Sequence, residues 1–276
     1  MKILLSSMEL FTLTGQPMYT YHLAKGFVEM GHEVVVVSEI TGGEMKKKFD
    51  DIGVRHYYLA TQAYHNIIFD LAIVSEQNSN YVVENIKCKK IFNLMHSKHR
   101  VDAPIKNDKI AGYVAPRQQI LDHHKVEGTI IPIPVDMDKL KVELVPHDCY
   151  RIIAPCTREP LRKPMLMNLI ERAVKGVEVW MVGKEYGALD GVKLPKNVKV
   201  FNETPDIIDY MKQCDEVAGI FEGTVSYEGA AMGLKTSIYD EYGNWEYKTL
   251  IPTDYKDIAK QYINLCNTAI QQQKKV

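Results

Sequence analysis

The sequence predicts an α/β protein built as two consecutive Rossmann-like domains, each around a parallel sheet and facing the other across a cleft. Three observations carry that expectation. Short β-branched runs alternate with amphipathic stretches along the chain, the rhythm of strand–helix–strand units with right-handed crossovers. The strand runs are apolar without interruption, as strands covered on both faces must be; Glu33-Val34-Val35-Val36-Val37-Ser38 is the plainest case. Finally, 276 residues of ordinary globular composition, 46% hydrophobic and 25% charged, suffice for two domains with separate cores.

In order, residues 2–5 form a short buried strand, followed by a polar loop reaching Gly15. A helix comes next, with Leu23, Ala24, Phe27 and Val28 on one face. Gly31 ends it, at the position where a left-handed residue is usually needed. Residues 33–38, 71–74, 90–94 and 128–132 supply the further strands of a first domain, 1–146. The polar run Val145-Pro146-His147-Asp148 marks the joint. A second domain, 147–255, opens with a strand at 151–154. A helix carrying Leu166, Leu169, Ile170 and Ala173 follows, then strands at 177–182 and 197–201. Ile207, Tyr210, Met211 and Cys214 form a helical face opened by Pro205, and 217–221 and 236–239 are further strands. Ile258, Tyr262, Ile263, Cys266 and Ile270 line one side of a closing helix within 256–276.

Charge is balanced overall, 34 Lys and Arg against 35 Asp and Glu, which excludes a binder held by bulk positive charge. It is unevenly placed. From residue 84 to 127 nine basic residues meet five acidic ones, and from 201 to 255 eleven acidic meet three basic. The stretches read either as scattered solvated charge or as a basic surface beside something anionic. Five cysteines without C-x-x-C spacing suggest neither a disulfide framework nor a zinc site, and so a reducing, cytoplasmic setting. No apolar run approaches the length of a membrane span, so no stable membrane insertion is expected.

Ligands of open α/β sheets bind beyond the carboxyl ends of the strands. Chemistry is therefore expected in the loops after Leu5, Leu94, Ala154, Val182 and Phe221. The loop after Ala154 places Arg158 and Lys163 five residues apart at the start of a helix, where two cations and free backbone N–H groups suit a diphosphate. Taken alone, the loop reads equally as a solvated charged turn. Downstream, Glu222 and Glu228 flank the start of a helix rich in small residues, Gly229, Ala230, Ala231 and Gly233. Glu228 is suited to the vicinal hydroxyls of a ribose; both acids also read as first-turn residues favoured by the helix dipole. No Asp-x-Asp metal motif falls on a suitable loop.

These two patterns, in this order, resemble the retaining GT-B glycosyltransferases that use nucleotide sugars. That group grips the donor diphosphate with an Arg-x4-Lys loop, which Arg158 and Lys163 match, and carries a Glu-x7-Glu signature. Glu228 to Gly233 matches its second half, whereas Glu222 precedes Glu228 by six residues instead of eight. Gly183, in Val182-Gly183-Lys184-Glu185, is similar to the group's glycine loop beside the nucleotide. Thr14-Gly15-Gln16 and Gly31-His32-Glu33-Val34 resemble its opening loop and following strand. Ile130 to Asp136 resembles the segment closing the first domain, with Ile133-Pro134 in place of the usual Asn-Gly.

The resemblance implies sugar transfer from a nucleotide diphosphate sugar with retention, without metal or other cofactor. His96, at a strand end, would be the cleft histidine near donor sugar and acceptor. Arg158 and Lys163 would stabilise the departing diphosphate; Gly15, Gly183, Glu222 and Glu228 would bind the donor; Lys98 and Arg100 would lie on the acceptor side. The closing helix would cross back to the first domain. Two acceptors stay open: a glycan, or a hydroxymethylated base in duplex DNA, since Glu228 to Gly233 is also similar to the corresponding run in phage DNA α-glucosyltransferases. Competing readings of the same architecture are a nucleotide-sugar epimerase and a non-enzymatic nucleotide-sugar-binding protein.

Overall fold

A computed structural model describes residues 1–220 and 222–273. Phe221, expected to end a strand, and the tail lysines Lys274 and Lys275 lie outside the described residues. The chain divides into two compact units, residues 1–134 with 253–276, and residues 135–252. Two-residue strands, β8 (Pro134–Val135) and β15 (Thr253–Asp254), stand where the chain leaves the first unit and where it returns.

The first unit is a seven-stranded sheet of β1 (Lys2–Leu10), β2 (Glu33–Thr41), β3 (Arg55–Tyr58), β4 (Ile68–Ser75), β5 (Lys87–Leu94), β6 (Ile110–Ala115) and β7 (Gly128–Ile130). Its order is 3-2-1-4-5-6-7 and every pairing is parallel. Helices α1 (Gly15–Glu29), α2 (Gly43–Asp51), α3 (Asn80–Asn85) and α4 (Gln118–His124) connect the strands. One face packs Leu4, Val35, Val37, Phe69, Ala72, Val74 and Ile91 into a continuous core with Tyr64, Val82 and Val83. The central strands are buried on both sides, which is why they carry unbroken apolar runs.

The second unit contains β9 (Tyr150–Pro155), β10 (Val177–Val182), β11 (Val198–Phe201), β12 (Glu216–Ile220), β13 (Lys235–Tyr239) and β14 (Trp245–Tyr247), in the order 11-10-9-12-13-14. All pairings are parallel except β13 with β14. Its helices are α5 (Lys163–Arg172), α6 (Ile207–Met211) and α7 (Thr224–Ala231). Ile152, Ala154, Leu166, Leu169, Val179 and Met181 form its core. Helix α8 (Tyr255–Gln273) belongs to the first unit, where it lies on α1: the Tyr19 and Tyr262 hydroxyls are 3.1 Å apart and Tyr255 donates to Glu29.

Both sheets are doubly wound. Their switch points, where the strand order reverses, lie between β1 and β4 in the first unit and between β9 and β12 in the second. Strand β1 runs on to Leu10, five residues beyond its expected end at Leu5, because Ser6 and Ser7 stay in register with β2. Gly31 takes the left-handed φ of 79° expected of a helix terminator. Helix α6 stops at Met211, short of Cys214, so only part of the expected face is helical.

Candidate active site

In the second unit the segment after β9 carries Arg158 and Lys163. Arg158 is 2% exposed, and its guanidinium is already engaged. Nε donates to Glu185 at 2.7 Å and Nη1 donates to the Phe201 carbonyl at 3.1 Å. Its backbone is equally committed: Arg158 N–H donates to the Lys184 carbonyl, and its own carbonyl accepts from Tyr186 and Ala188. Arg158 thus ties the ends of β9, β10 and β11 together. Burial pushes the Glu185 carboxyl up, but the Arg158 guanidinium and the N–H groups of Gly187 and Tyr186 outweigh it and hold it below the ordinary range. Lys163, by contrast, is exposed as the first residue of α5.

Gly183 follows β10 with a φ of 155°, and a β-carbon there would sit 2.0 Å from the Cys156 carbonyl oxygen. The β9 and β10 loops therefore touch backbone to backbone, and only glycine allows it. Beyond β12, Glu222 is paired with Lys248 at 2.7 Å. Glu228 is half-buried on α7. The helix sits close to the sheet because Gly229 has no side chain: a β-carbon would fall 2.2 Å from Val217 Cγ1. Small residues at this point thus serve packing against β12.

The other expected residues lie in the first unit. Gly15 is exposed as the first residue of α1. The loop before it is shaped by Glu9, whose carboxylate accepts from the Phe11 and Thr12 N–H groups. His96 follows β5 and is half-buried, with Nε2 3.2 Å from Ser75 Oγ and the Tyr19 ring edge-on at 4.9 Å. Burial lowers its pKa, and the charge of Asp102 opposes the shift. Lys98 and Arg100 are exposed in the loop that follows.

That loop also holds groups that sequence spacing does not single out. Asp102 is 4% exposed and accepts a 2.5 Å hydrogen bond from Ser97 Oγ through Oδ2, while its buried Oδ1 has no partner. Glu76, directly after β4, is equally buried. Its only sequence signal is an acid at the end of an apolar strand, one of the loops at the switch point. Among the described residues no group of three His, Cys, Asp or Glu side chains is arranged to hold a metal ion, and no helix is long and apolar enough to cross a membrane.

Comparison with protein-family models and with curated proteins finds no match. Solved structures do match. Anabaena Alr3699/HepE in complex with UDP-glucose superposes with a TM-score of 0.69 at 16% identity, over 100% of this chain and 91% of that one. AviGT4, a glycosyltransferase involved in avilamycin A biosynthesis, gives 0.62 at 12% identity over 96% and 97%. WaaG, a glycosyltransferase involved in lipopolysaccharide biosynthesis, gives 0.57 at 10% identity over 99% and 91%. The chain has the GT-B fold, two Rossmann-like units in succession.

Proposed function

We propose that the chain is a retaining, metal-independent glycosyltransferase that moves a sugar from a nucleotide diphosphate sugar to the hydroxyl of a glycan or of a hydroxymethylated DNA base. One observation carries the reading: two doubly wound sheets matched over nearly the whole chain by solved structures that include a glycosyltransferase and a protein in complex with UDP-glucose. Each switch point is a place where such sheets bind ligands.

On this reading the donor occupies the second unit. Lys163 and the amides of the first turn of α5 meet the diphosphate, and their charge stabilises the leaving group most as negative charge grows on it. Arg158 is a positioning residue, since Glu185 and the Phe201 carbonyl already hold its guanidinium. It keeps the loop after β9 against the glycine turn at Gly183. Glu228 accepts from the ribose hydroxyls, and Glu222, held by Lys248, stands on the donor-sugar side. The bond from the anomeric carbon to the diphosphate oxygen breaks, a bond to the acceptor oxygen forms on the same face, and the acceptor proton goes to the departing diphosphate. His96 supports the sugar, and Lys98 and Arg100 lie on the acceptor side.

A panel of nucleotide sugars, scored by released nucleotide with and without acceptor, tests the activity. Lys163→Ala is expected to slow release by about 10²-fold with the melting temperature unchanged. Arg158→Ala is expected to lower stability by about 2–4 kcal/mol, because it removes a buried side chain together with its hydrogen bonds to Glu185 and the Phe201 carbonyl. Normal nucleotide release from Lys163→Ala rejects the diphosphate assignment. The Arg158–Glu185 pair favours one second reading, a nucleotide-sugar-binding protein without turnover, because it neutralises one of the two expected cations. Binding of a nucleotide sugar with no release selects that reading.

A further inference from the structure

Glu76 occupies the switch point of the first sheet, immediately after β4 and beside the end of β1. Its backbone adopts φ 65° and ψ 155°, a region otherwise left to glycine. Its side chain is held in place: Oε2 accepts the Met8 N–H at 2.5 Å, with Ser7 Oγ at 3.4 Å, and the Gln16 side chain also donates to the carboxylate. The preceding residue, Ser75, places its hydroxyl 3.2 Å from His96 Nε2. Asp102 adds a second buried carboxylate to the neighbourhood, and its charge acts on both Glu76 and His96. Oδ1 of Asp102 is buried without a hydrogen-bond donor among the described residues.

The two buried carboxylates of this cluster repel anions, and the bare Oδ1 of Asp102 asks for a hydrogen-bond donor. The loop's cations, Lys98 and Arg100, are exposed, and neither side chain is paired with the two acids. A phosphate placed at Glu76 would face two carboxylates; a sugar would bring only hydroxyl donors. We propose that Glu76 is the acceptor-binding carboxylate of this protein, taking the attacking hydroxyl of a neutral, polyhydroxylated sugar. The assignment rests on the glycosyl-transfer reading above and names the acceptor class that reading leaves open. Glu76 orients the hydroxyl and is not the final proton acceptor, since the proton leaves with the diphosphate. Asp102 is a positioning residue that acts through Ser97 and through its field at His96.

The test uses the full chain with UDP-sugars as donors, p-nitrophenyl glycosides as neutral acceptors and a hydroxymethylcytosine duplex as the competing acceptor. Calorimetric titration with UDP is run in parallel. Transfer to glycosides is expected. Glu76→Gln should reduce kcat/KM for the acceptor by about 10²-fold, while UDP affinity stays within about twofold of wild type. Asp102→Asn should raise the acceptor KM with UDP affinity unchanged, and it carries the test if Glu76→Gln does not melt cooperatively. Wild-type transfer by Glu76→Gln, an unchanged acceptor KM in Asp102→Asn, or transfer to the duplex and to no glycoside overturns the assignment of Glu76 while leaving glycosyl transfer standing. Absence of any UDP or nucleotide-sugar binding overturns both.

Discussion

His96 is set to remain neutral further into acid than an ordinary histidine. Burial penalises its charged form, and the Asp102 carboxylate only partly offsets that penalty. With the folded pKa below 6.5, the unfolded chain binds more protons between the two values. The stability gained by keeping His96 neutral is therefore complete above pH 6.5 and is lost as pH falls from there towards the folded pKa. Glu76 runs the other way: burial raises its pKa, so its contribution is largest in acid and declines as pH rises through the folded value. An imidazole titration by NMR, with His96→Gln assigning the resonance, should give a midpoint below 6.5 for His96. A midpoint at or above 6.5 would show that Asp102, and not burial, governs the ring. At this scale the sequence discloses residue type better than environment. The strand end before His96 is visible in Ile91-Phe92-Asn93-Leu94, and so is the cation at Lys163. The partner that occupies Arg158 is not, because Glu185 is 27 residues away and meets it only when the ends of β9 and β10 lie side by side. The φ of Glu76 leaves no mark in residue type at all, since nothing about a glutamate announces a glycine-like backbone.

Elements were legible in proportion to their burial. The central strands β1, β2, β4, β5, β9, β10 and β12 announce themselves by apolar runs because both of their faces are covered. Of the edge strands, Arg55–Tyr58 is polar and half-exposed and Trp245–Tyr247 is exposed throughout, so hydrophobic patterning passes over both, whereas β7 and β11 keep enough apolar residues to be seen. Short connecting helices such as Asn80–Asn85 and Gln118–His124 have too few turns to show a periodicity. The loops that join the buried strands are where sequence and geometry constrain each other most tightly. At Gly183 a side chain would have to enter the space of the Cys156 carbonyl, and its backbone angle already favours glycine. Gly183→Ala is expected to cost about 2–4 kcal/mol from the clash and the backbone strain together. It should also separate the β9 and β10 loops that Arg158 pins together, so donor affinity should fall with stability. Denaturant melts and nucleotide titration on the same variant check both. Full stability in Gly183→Ala would mean that the two loops do not touch as described.

On the scale of the whole chain, the two units differ in how their sequences are assembled. The second unit is one continuous segment, residues 135–252, with a core drawn entirely from within it. The first unit is discontinuous: residues 1–134 need the returning segment, whose helix α8 places Tyr255, Ile258, Ala259, Tyr262 and Cys266 in fully buried positions. At roughly 1.5–3 kcal/mol for each large side chain removed from water, Tyr255, Ile258 and Tyr262 alone contribute on the order of 6 kcal/mol. That is comparable with the entire stability of an ordinary domain, about 5–15 kcal/mol. The apolar face of α8 is plain in the sequence, but periodicity shows only that a face must be covered; that the helix returns to the first unit is what the family resemblance implies. The approach is close as well: a β-carbon at Gly26 would stand 2.9 Å from Ala259 Cβ, so α1 is shaped for this one neighbour. Residues 135–252 expressed alone are therefore expected to unfold cooperatively in urea, whereas residues 1–134 alone should lack a cooperative transition. Supplying residues 253–276 as a separate peptide should restore that transition in a concentration-dependent way, since the lost contacts are non-covalent and the peptide binds only the folded form. A cooperative melt of residues 1–134 without the peptide would show that α8 covers the first unit without being needed to fold it.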